Sequence, residues 1–433
     1  MYLVEQHVIN RSDPRYPIID EAAFKAKNLY NAALYETRQA WIHQGLVLTY
    51  EALDKRMQPH EAYRALPAKV SQQVIKQVTK AWESYFAACR KYEADPATFL
   101  GHPKLPGYQH KTEGRNLLVY TLQALSGGQT LHKPGGKNAL RQGMIKPSML
   151  PIEVRTRQDP STIDQVRIVP HTGFYVVEVI YTKAVHPAEV NPAYCAGIDM
   201  GITNLVALTS NKPGFRPVLV SGRPLKSINQ YYNKRKAALQ STLGHPGTSK
   251  RIERLTTRRN RRIEHYLHTA SKRIVDLLVQ EGIGVLVIGK NDGWKQGASL
   301  GKRNNQHFEH IPHARFIAML TYKAELVGII VRTTEESYTS QASLPDLDPL
   351  PVRDSNTGHE KPIFSGKRIA RGLYRAADGR TINADVNGSG NILRKVAPDA
   401  FAEGVEDGKA VLASLVVHPV RMVIPLTKPQ SRR

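Results

Sequence analysis

The first quarter of the chain carries apolar residues at the spacing of an α-helix. Val74, Val78 and Trp82 follow one another at intervals of four residues after Pro67, a residue suited to the start of a helix. A similar apolar stripe precedes them. The pattern predicts a small helical domain over residues 21–98, in which the aromatic side chains pack in a core.

Short runs of β-type residues, separated by Gly and Pro, replace the helical pattern after residue 98. The last of these runs predicts a hairpin that turns at His171–Gly173. We expect a small β-barrel over residues 99–192, which the alternating run at 2–10 could complete. The helical block would then be an insertion into the barrel.

The chain after Pro192 has the pattern of an α/β domain. Two short strands joined at Gly201 precede a long helical region over 225–280, and the buried strand 284–289 follows. A further helix and strand complete a βαβ unit, whose strands should be parallel neighbours. We therefore expect an α+β multidomain protein, divided into a barrel (1–20 and 99–192), a helical domain (21–98), an α/β domain (193–398) with a loop-like insertion (341–381), and a C-terminal tail (399–433).

Composition restricts the class of protein. Hydrophobic residues make up 41% of the 433, which excludes a largely disordered chain. Lys and Arg total 61 and Asp and Glu total 37, so the formal net charge of +24 favours a polyanionic partner, most simply nucleic acid. Two cysteines cannot build a disulfide framework or a four-cysteine zinc site. The sequence contains no apolar run long enough to cross a bilayer and no signal peptide pattern, so we expect an intracellular protein without membrane contact.

The basic charge is concentrated in one segment. Between Ser221 and Gln280 there are fourteen Lys and Arg against three Asp and Glu, a local net charge of +11. A solvated helix face is the usual explanation of such a run, but the scarcity of acids leaves few intrahelical pairs and favours contact with phosphates. The residues expected to contact nucleic acid are Lys234, Arg235, Lys236, Arg251, Arg254, Arg258, Arg259, Arg261 and Arg262, of which 251, 254, 258 and 262 share a helical face.

Acidic residues at the ends of predicted elements stand out in this basic chain. Asp199 ends an apolar strand between two glycines, Asp385 lies at the start of a helix, and Glu335 and Glu336 end another strand. Clustered carboxylates are costly unless a cation neutralises them. Oxygen ligands indicate Mg²⁺ or Mn²⁺, and two such ions about 4 Å apart can activate water and stabilise the leaving oxygen of a phosphodiester. Taken singly, each acid could equally be a helix cap or a surface residue.

Three motifs in order resemble those of the TnpB family, the RNA-guided DNA endonucleases encoded by insertion sequences. They are GIDMGITNL (197–205), the block from GKNDGWKQ to EESYTSQAS (289–343), and INADVNGSGNI (382–392). The resemblance implies a WED-like barrel with an inserted REC-like helical domain, followed by a RuvC nuclease domain of RNase H-like fold. It also implies a guide RNA, double-stranded target DNA and a displaced single strand as partners. By resemblance, Asp199 is the first and Asp385 the last member of an Asp, Glu, Asp triad.

The middle acid of the triad departs from the family pattern. Most members have a glutamate where this chain has Gly289. Adjacent strands lie about 4.8 Å apart, so a glutamate at the end of the next parallel strand could reach the same metal. Side chains alternate along a strand, so one of Glu335 and Glu336 should face the site, and we favour Glu336 because its position matches the displaced glutamate of some members. Asp292 is a weaker candidate, for which a turn is the simpler role.

The cysteine pairs of the family's zinc ribbon are a second departure. Residues 341–381 contain no cysteine and would have to fold on apolar and backbone contacts. His307, His310 and His313 form a close set in the sequence, but they lack Cys or acidic partners, so we do not expect zinc. The loss of the cysteines is expected to affect the efficiency of DNA cleavage more than the binding of nucleic acid.

Three functions fit these features. The leading one is an RNA-guided, Mg²⁺-dependent DNA endonuclease of a transposable element, in the prokaryotic cytoplasm and associated with the nucleoid. A guide-dependent DNA binder that no longer cuts, and blocks transcription, is motivated by Gly289 and the missing cysteines. A transposase that joins DNA ends with Asp/Asp/Glu chemistry has a related fold. The sequence leaves the oligomeric state open.

Overall fold

The computed structural model describes residues 1–128, 140, 142–243, 247–290, 311–351, 362–401 and 419–425. By internal contacts the chain divides into two compact units, Met1–Lys183 and Ala184–Arg433. Within the described residues, none of the helices is both long and apolar enough to cross a membrane.

As far as the structure describes it, the first unit contains two long helices and two short ones: α1 (Tyr16–Gln44), α2 (Tyr50–Met57), α3 (Glu61–Arg64) and α4 (Ala68–Ala94). Pro67 immediately precedes α4, as the sequence predicts, and Val74, Val78 and Trp82 are fully or almost fully buried. The two short helices fall within the predicted helical region. The side-chain oxygen of Thr49 caps α2 by accepting from the backbone N–H of Ala52.

The described residues of the first unit also form the strands β1 (Tyr2–Asn10), β2 (Leu118–Thr121), β3 (Met144–Ile145), β4 (Val154–Arg155), β5 (Ile163–His171) and β6 (Phe174–Thr182). The hairpin prediction is confirmed, because β5 and β6 pair antiparallel around Gly173, whose φ of 86° suits a glycine turn. β1 pairs with the far side of β6.

These strands do not form a closed barrel within the described residues. Four of them make an antiparallel sheet in the order β1-β6-β5-β2, and β3 and β4 form a separate two-stranded ribbon. Pro147 and Pro151, between β3 and β4, lack the N–H that a longer ladder would need, which keeps that ribbon short.

The second unit is built on a mixed six-stranded sheet of β7 (Asn191–Asp199), β8 (Asn204–Ser210), β9 (Val218–Ser221), β10 (Ile283–Gly289), β11 (Ile330–Thr334) and β15 (Val420–Met422). Their order is β11-β10-β7-β8-β9-β15. β10 is parallel to both β7 and β11, so the predicted parallel βαβ neighbours are confirmed. β15 comes from the segment expected to be a tail, and it pairs in parallel with β9.

In the described ranges of this unit, four helices accompany the sheet: α5 (Arg223–Ser241), α6 (Lys250–Gln280), α7 (His313–Glu325) and α8 (Ala384–Val396). The prediction of one continuous helical region over 225–280 is wrong, because the structure has two separate helices there. α5 ends before a stretch with Gly244, Pro246 and Gly247, residues that disfavour helix, and α6 begins after the N-cap Ser249.

The two faces of the sheet pack on different helices. Ile263 and Tyr266 of α6 and Phe316 and Leu320 of α7 share the larger apolar cluster with inward residues of β7, β8 and β10. α8 packs on the opposite face. A Cβ at Gly197 would overlap the carbonyl oxygen of Ser389, so glycine in β7 lets this helix approach the strand closely.

The expectation of a loop over 341–381 is wrong in part. The segment contains β12 (Lys367–Ala370) and β13 (Leu373–Arg375), which form an antiparallel sheet with β14 (Thr381–Asn383). A buried carboxylate adds to the expected apolar and backbone contacts, because Asp348 accepts from the backbone N–H groups of Ser343 at 2.8 Å and Ser365 at 3.0 Å. Three short strands with few apolar residues leave little periodicity for sequence reasoning to detect.

Candidate active site

Three predicted carboxylates lie at element ends on one edge of the six-stranded sheet. Asp199 is the last residue of β7, Glu336 follows the end of β11 by two residues, and Asp385 lies in the first turn of α8. Asn383 caps that helix, since its side-chain oxygen accepts from the backbone N–H of Asp385 at 2.9 Å and of Val386 at 3.2 Å. The carboxyl ends of parallel strands are a common place for binding sites in α/β sheets.

Gly289 and Glu336 fit together at the end of β10. Gly289 is paired with Thr334 across the parallel strands, and Ile288 is paired with Ile198 on the other side, next to Asp199. A Cβ added at Gly289 would overlap the Oε1 atom of Glu336. The space that a side chain at position 289 would need is therefore occupied by the glutamate of the neighbouring strand end.

Burial, together with the neighbouring negative charges, raises the pKa values of two of these acids. Loss of solvent and the charge of Asp385 raise the pKa of Asp199 to about 7, partly opposed by Arg368. Loss of solvent and the charge of Asp199 raise the pKa of Glu336 to about 8. Asp199 is thus the acid that interacts with both others, and the three carboxylates concentrate negative charge at this edge.

Glu335 and Glu336 point to different partners. The Glu335 carboxylate forms an ion pair with the buried Lys395 of α8 and accepts from the backbone N–H of Ser337 at 2.6 Å. The carbonyl oxygen of Glu336 accepts from the backbone N–H of Thr339 at 3.2 Å, which forms a tight turn after β11. The structure brings Glu336 to Asp199 and directs Glu335 to α8.

Polar and basic groups surround Asp385 and the adjoining loop. The amide of Asn204 donates to Asp385 Oδ2 at 2.7 Å, and Arg368 Nη2 lies 4.0 Å from Asp385 Oδ1. Lys226 and Arg371 both donate to the hydroxyl of Thr203, at 3.0 and 2.8 Å. Sequence reasoning missed the roles of these residues. Thr203 and Asn204 share a motif with Asp199 but lie far from Asp385 in sequence, and the basic residues come from α5, from β12 and from the turn after it.

The acids suit a hard divalent cation by their chemistry. All the donors are carboxylate oxygens, the ligands that Mg²⁺ and Mn²⁺ prefer. A cation would offset the burial and the repulsion that raise the pKa values of Asp199 and Glu336. Within the described ranges, no three His, Cys, Asp or Glu side chains come together closely enough to hold one ion. The set is therefore two pairs that share Asp199, rather than a closed three-ligand cluster.

The other metal candidates lie elsewhere. His313 begins α7 and is buried. His307, His310 and Asp292 fall outside the described residues.

The basic residues of α5 and α6 are mostly exposed. Arg251, Arg254, Arg258 and Arg262 lie on the exposed side of α6, opposite the buried Ile263. Lys234, Arg235 and Arg261 are exposed and Lys236 is half-buried.

Arg259 differs from this group. Its guanidinium carbon lies 5.5 Å from the Tyr232 ring centre, and its Nε donates to Asn229 Oδ1 at 2.8 Å. Burial lowers the pKa of Arg259. Its role in the packing of α5 on α6 was not evident from the sequence.

Two family models match separate parts of the chain. A model described as a probable transposase matches residues 174–295, and a model described as the Cas12f1-like TNB domain matches residues 313–392. The first range contains Asp199, and the second contains Glu336 and Asp385.

Similarity to known proteins extends over most of the chain. The TnpB-like protein ORF457 of Acidianus two-tailed virus is 23% identical over 424 residues, which cover 90% of this chain and 85% of that protein. A chain in the cryo-EM structure of the Cas12f1-sgRNA-target DNA complex matches with a TM-score of 0.50 and 13% identity, over 87% of this chain and 81% of that one. A CRISPR-Cas12f ternary complex matches over the same shares with a TM-score of 0.35.

The chain therefore shares its α/β fold with Cas12f1, and part of it is similar to a family of probable transposases. The resemblance to the TnpB family that the sequence motifs indicate is confirmed by the transposase model and by the TnpB-like relative.

Proposed function

We propose that this protein is an RNA-guided DNA endonuclease that hydrolyses phosphodiester bonds at Asp199, Glu336 and Asp385. The observation that supports it most directly is the fit of Glu336 over Gly289, which supplies a third carboxylate beside Asp199 where the usual glutamate is missing. The strand order β9-β8-β7-β10-β11, with three antiparallel strands followed by two parallel ones, is consistent with an RNase H-like RuvC domain.

The same three carboxylates would hold the divalent cations, Mg²⁺ or Mn²⁺, in a two-ion arrangement. When bound, such cations lower the pKa of a coordinated water and neutralise the charge that develops on the leaving oxygen. Asp199 lies between the other two acids and would contribute to both ion positions. Asn204 holds the Asp385 carboxylate in place, and Arg368 carries positive charge next to it, where a phosphate of the scissile strand would lie.

The rest of the chain would hold and position the nucleic acids. Exposed arginines of α6 would contact the phosphates of the guide–target heteroduplex, and base pairing would read the sequence. The sheet of residues 1–20 and 99–192 would form the WED-like domain and the helices of 21–98 the REC-like domain. Both would bind the guide RNA and read a short duplex motif beside the target.

A plasmid cleavage assay tests this function. Full-length protein purified with its co-expressed RNA is incubated with a plasmid library randomised beside the target, with and without Mg²⁺. We expect metal-dependent cleavage that Asp199→Ala and Glu336→Ala abolish. Glu335→Ala is the matched control, because its carboxylate pairs with Lys395 and should leave most of the activity. Equal loss in the two glutamate variants, or full activity of Glu336→Ala, would contradict the assignment.

One observation favours a second candidate, an RNA-guided DNA binder that does not cut. The described residues bring the acids together as two pairs and not as a closed three-ligand group. This alternative would be established by two results together. The wild type would bind the library specifically and only with its RNA, and it would not cleave the library at any of a range of Mg²⁺ and Mn²⁺ concentrations.

A further inference from the structure

A groove lies between helices α5 and α6, on the basic surface of the second unit. Its volume is about 100 Å³, and Ile228 and Leu255 provide apolar surface in it. This space is of the order of one flat ring and is far too narrow for a duplex. The apolar surface is unusual within a segment that is otherwise dominated by Lys and Arg.

One wall of the groove is held in place by side-chain contacts. The guanidinium of Arg259 lies over Tyr232, and its Nε donates to Asn229 Oδ1. The Tyr232 hydroxyl lies 3.1 Å from the hydroxyl of Thr256, which fixes the ring between the two helices. This wall is therefore pre-organised, and a ligand would lose little by binding against it.

The remaining lining residues are accessible and cationic or aromatic. Tyr231 is 59% exposed. Arg258 and Arg262 are exposed one helical turn apart, where like charges repel, and in the described part of the chain neither has a hydrogen-bond or ion-pair partner. An anion between the two guanidinium groups would remove this repulsion.

We propose that this groove binds one unstacked nucleotide. The base lies against Ile228, Leu255 and the Tyr231 ring, and the adjoining phosphate lies between Arg258 and Arg262. Every side chain that lines the groove is apolar, aromatic or cationic, so the groove offers stacking and charge but no carboxylate or amide to read a base edge. It should accept any base. The inference rests on the proposed nucleic-acid-binding function and names the part of the ligand that these helices hold.

Fluorescence of 2-aminopurine reports stacking of this kind. Full-length protein, washed at high salt to remove co-purified RNA, is titrated with twelve-nucleotide single strands of RNA or DNA that carry one central 2-aminopurine. Binding should quench the fluorescence, and Tyr231→Ala should weaken binding about tenfold and remove most of the quenching. Tyr231→Phe, which retains the ring, should behave like the wild type. The RNA and DNA arms show whether the guide or a DNA strand supplies the nucleotide.

Control variants distinguish binding in the groove from a general effect of positive charge on nucleic-acid binding. Ile330→Ala removes an exposed apolar side chain at the start of β11, outside the groove, and should change nothing. Arg258→Gln and Arg262→Gln should each lower the slope of log affinity against log salt concentration by about one. Quenching that survives Tyr231→Ala, or equal quenching of a duplex probe, would overturn the proposal.

The binding assay needs no cleavage, so the two proposals can fail separately. If the protein quenches 2-aminopurine in a way that depends on Tyr231 but cleaves no plasmid, the nucleotide-binding groove is supported and the nuclease function is refuted. Protein that cuts the plasmid but shows no quenching that depends on Tyr231 refutes the groove alone.

Discussion

Gly289 and Glu336 are coupled through the space they share. A Cβ at position 289 would overlap Glu336 Oε1 and come within 2.6 Å of Ile392 Cδ1. An acid can therefore extend from the end of β10 or from the end of β11, but the present packing has no room for side chains from both. This explains in steric terms why a chain with the displaced glutamate has glycine at the usual position.

Gly289→Ala should therefore impair cleavage without impairing target binding. The added methyl group would displace the Glu336 carboxylate, and a misplacement of about 1 Å can cost roughly 100-fold in rate. The measurement is the single-turnover rate of plasmid cleavage, with target affinity measured in parallel. Gly101→Ala is the control, because a Cβ at that position meets nothing within 4 Å. Wild-type rates for Gly289→Ala would show that the two positions are not coupled.

Part of the site's geometry could be predicted from single residues, and part could not. Strand spacing and the alternation of side chains predicted that one of Glu335 and Glu336 would face Asp199. The match to the displaced glutamate of the family selected Glu336. The contacts of Asn204 and Arg368 with Asp385 could not be predicted, because each joins residues from distant segments. The direction of Glu335 depends on Lys395, sixty residues later, for the same reason.

At the scale of elements, the segment that takes the place of the zinc ribbon is held together by a carboxylate. Asp348 accepts from the backbone N–H groups of Ser343 and Ser365 and from the Ser365 hydroxyl. The Tyr374 hydroxyl of β13 donates to the carbonyl of Gln341 at 2.7 Å. These bonds join chain segments that are far apart in sequence, as metal-bound cysteines would.

Removal of this carboxylate should destabilise the segment. Asp348→Ala leaves buried N–H groups without an acceptor, at a cost of about 1–3 kcal/mol. Thermal unfolding of the full chain measures the effect, with Asp378→Ala in an exposed turn as the control. A zinc chelator should leave the melting temperature of the wild type unchanged. A clear decrease on chelation would show that a metal, and not Asp348, holds the segment.

In the first unit, Asp20 joins α1 to β6 and to the segment before β2. Its carboxylate accepts from Arg115 Nε at 3.0 Å and Nη2 at 2.8 Å, and from the Tyr175 hydroxyl at 2.7 Å. Loss of solvent would raise the pKa of Asp20, but the hydrogen bonds from Arg115 and Tyr175 outweigh it and lower that pKa below its ordinary value. The ionised form is therefore favoured in the folded state.

Asp20→Asn should cost about 1.5–3 kcal/mol of folding stability at neutral pH, the range for hydrogen bonds to charged groups. The folded-state pKa of Asp20 is lowered. The difference in folding stability between the wild type and Asp20→Asn is therefore fully present above the ordinary Asp pKa, and it is lost as the pH falls through the lowered pKa. Urea unfolding at several pH values measures the difference. Glu21→Gln, which removes an exposed acid paired with Lys25, should show no such pH dependence. A constant difference down to the lowest pH would contradict this role for Asp20.

The elements that were predicted correctly are long and strongly periodic. α4 and the β5–β6 hairpin show their period plainly in the sequence, whereas β12 to β14 are three or four residues each and their partners are set by the turns between them. The break between α5 and α6 was missed because basic residues with good helix propensity lie on both sides of it.

At the scale of the whole molecule, the charge is unevenly distributed. The formal net charge of the chain is +24, and the segment between Ser221 and Gln280 contributes +11 of it. Self-repulsion of such a surface disfavours the free protein and favours binding to a polyanion, which releases the counterions held by the phosphates. The exposed stripe of Arg251, Arg254, Arg258 and Arg262 is where this effect should be greatest.

Replacement of these four arginines by glutamine should change the salt dependence of nucleic-acid binding. Each lost phosphate contact lowers the slope of log affinity against log salt concentration by about one, so the variant's slope should fall by about four. Fluorescence anisotropy with a guide–target heteroduplex over a range of salt concentrations measures this slope. The matched control replaces four exposed arginines of the second unit that lie outside α5 and α6, Arg216, Arg332, Arg375 and Arg421, and leaves the same net charge. If the two variants lose the same slope, net charge and not the stripe on α6 controls binding. A loss confined to the α6 variant identifies α6 as the phosphate-contacting surface, because both proteins then differ only in where the charge was removed.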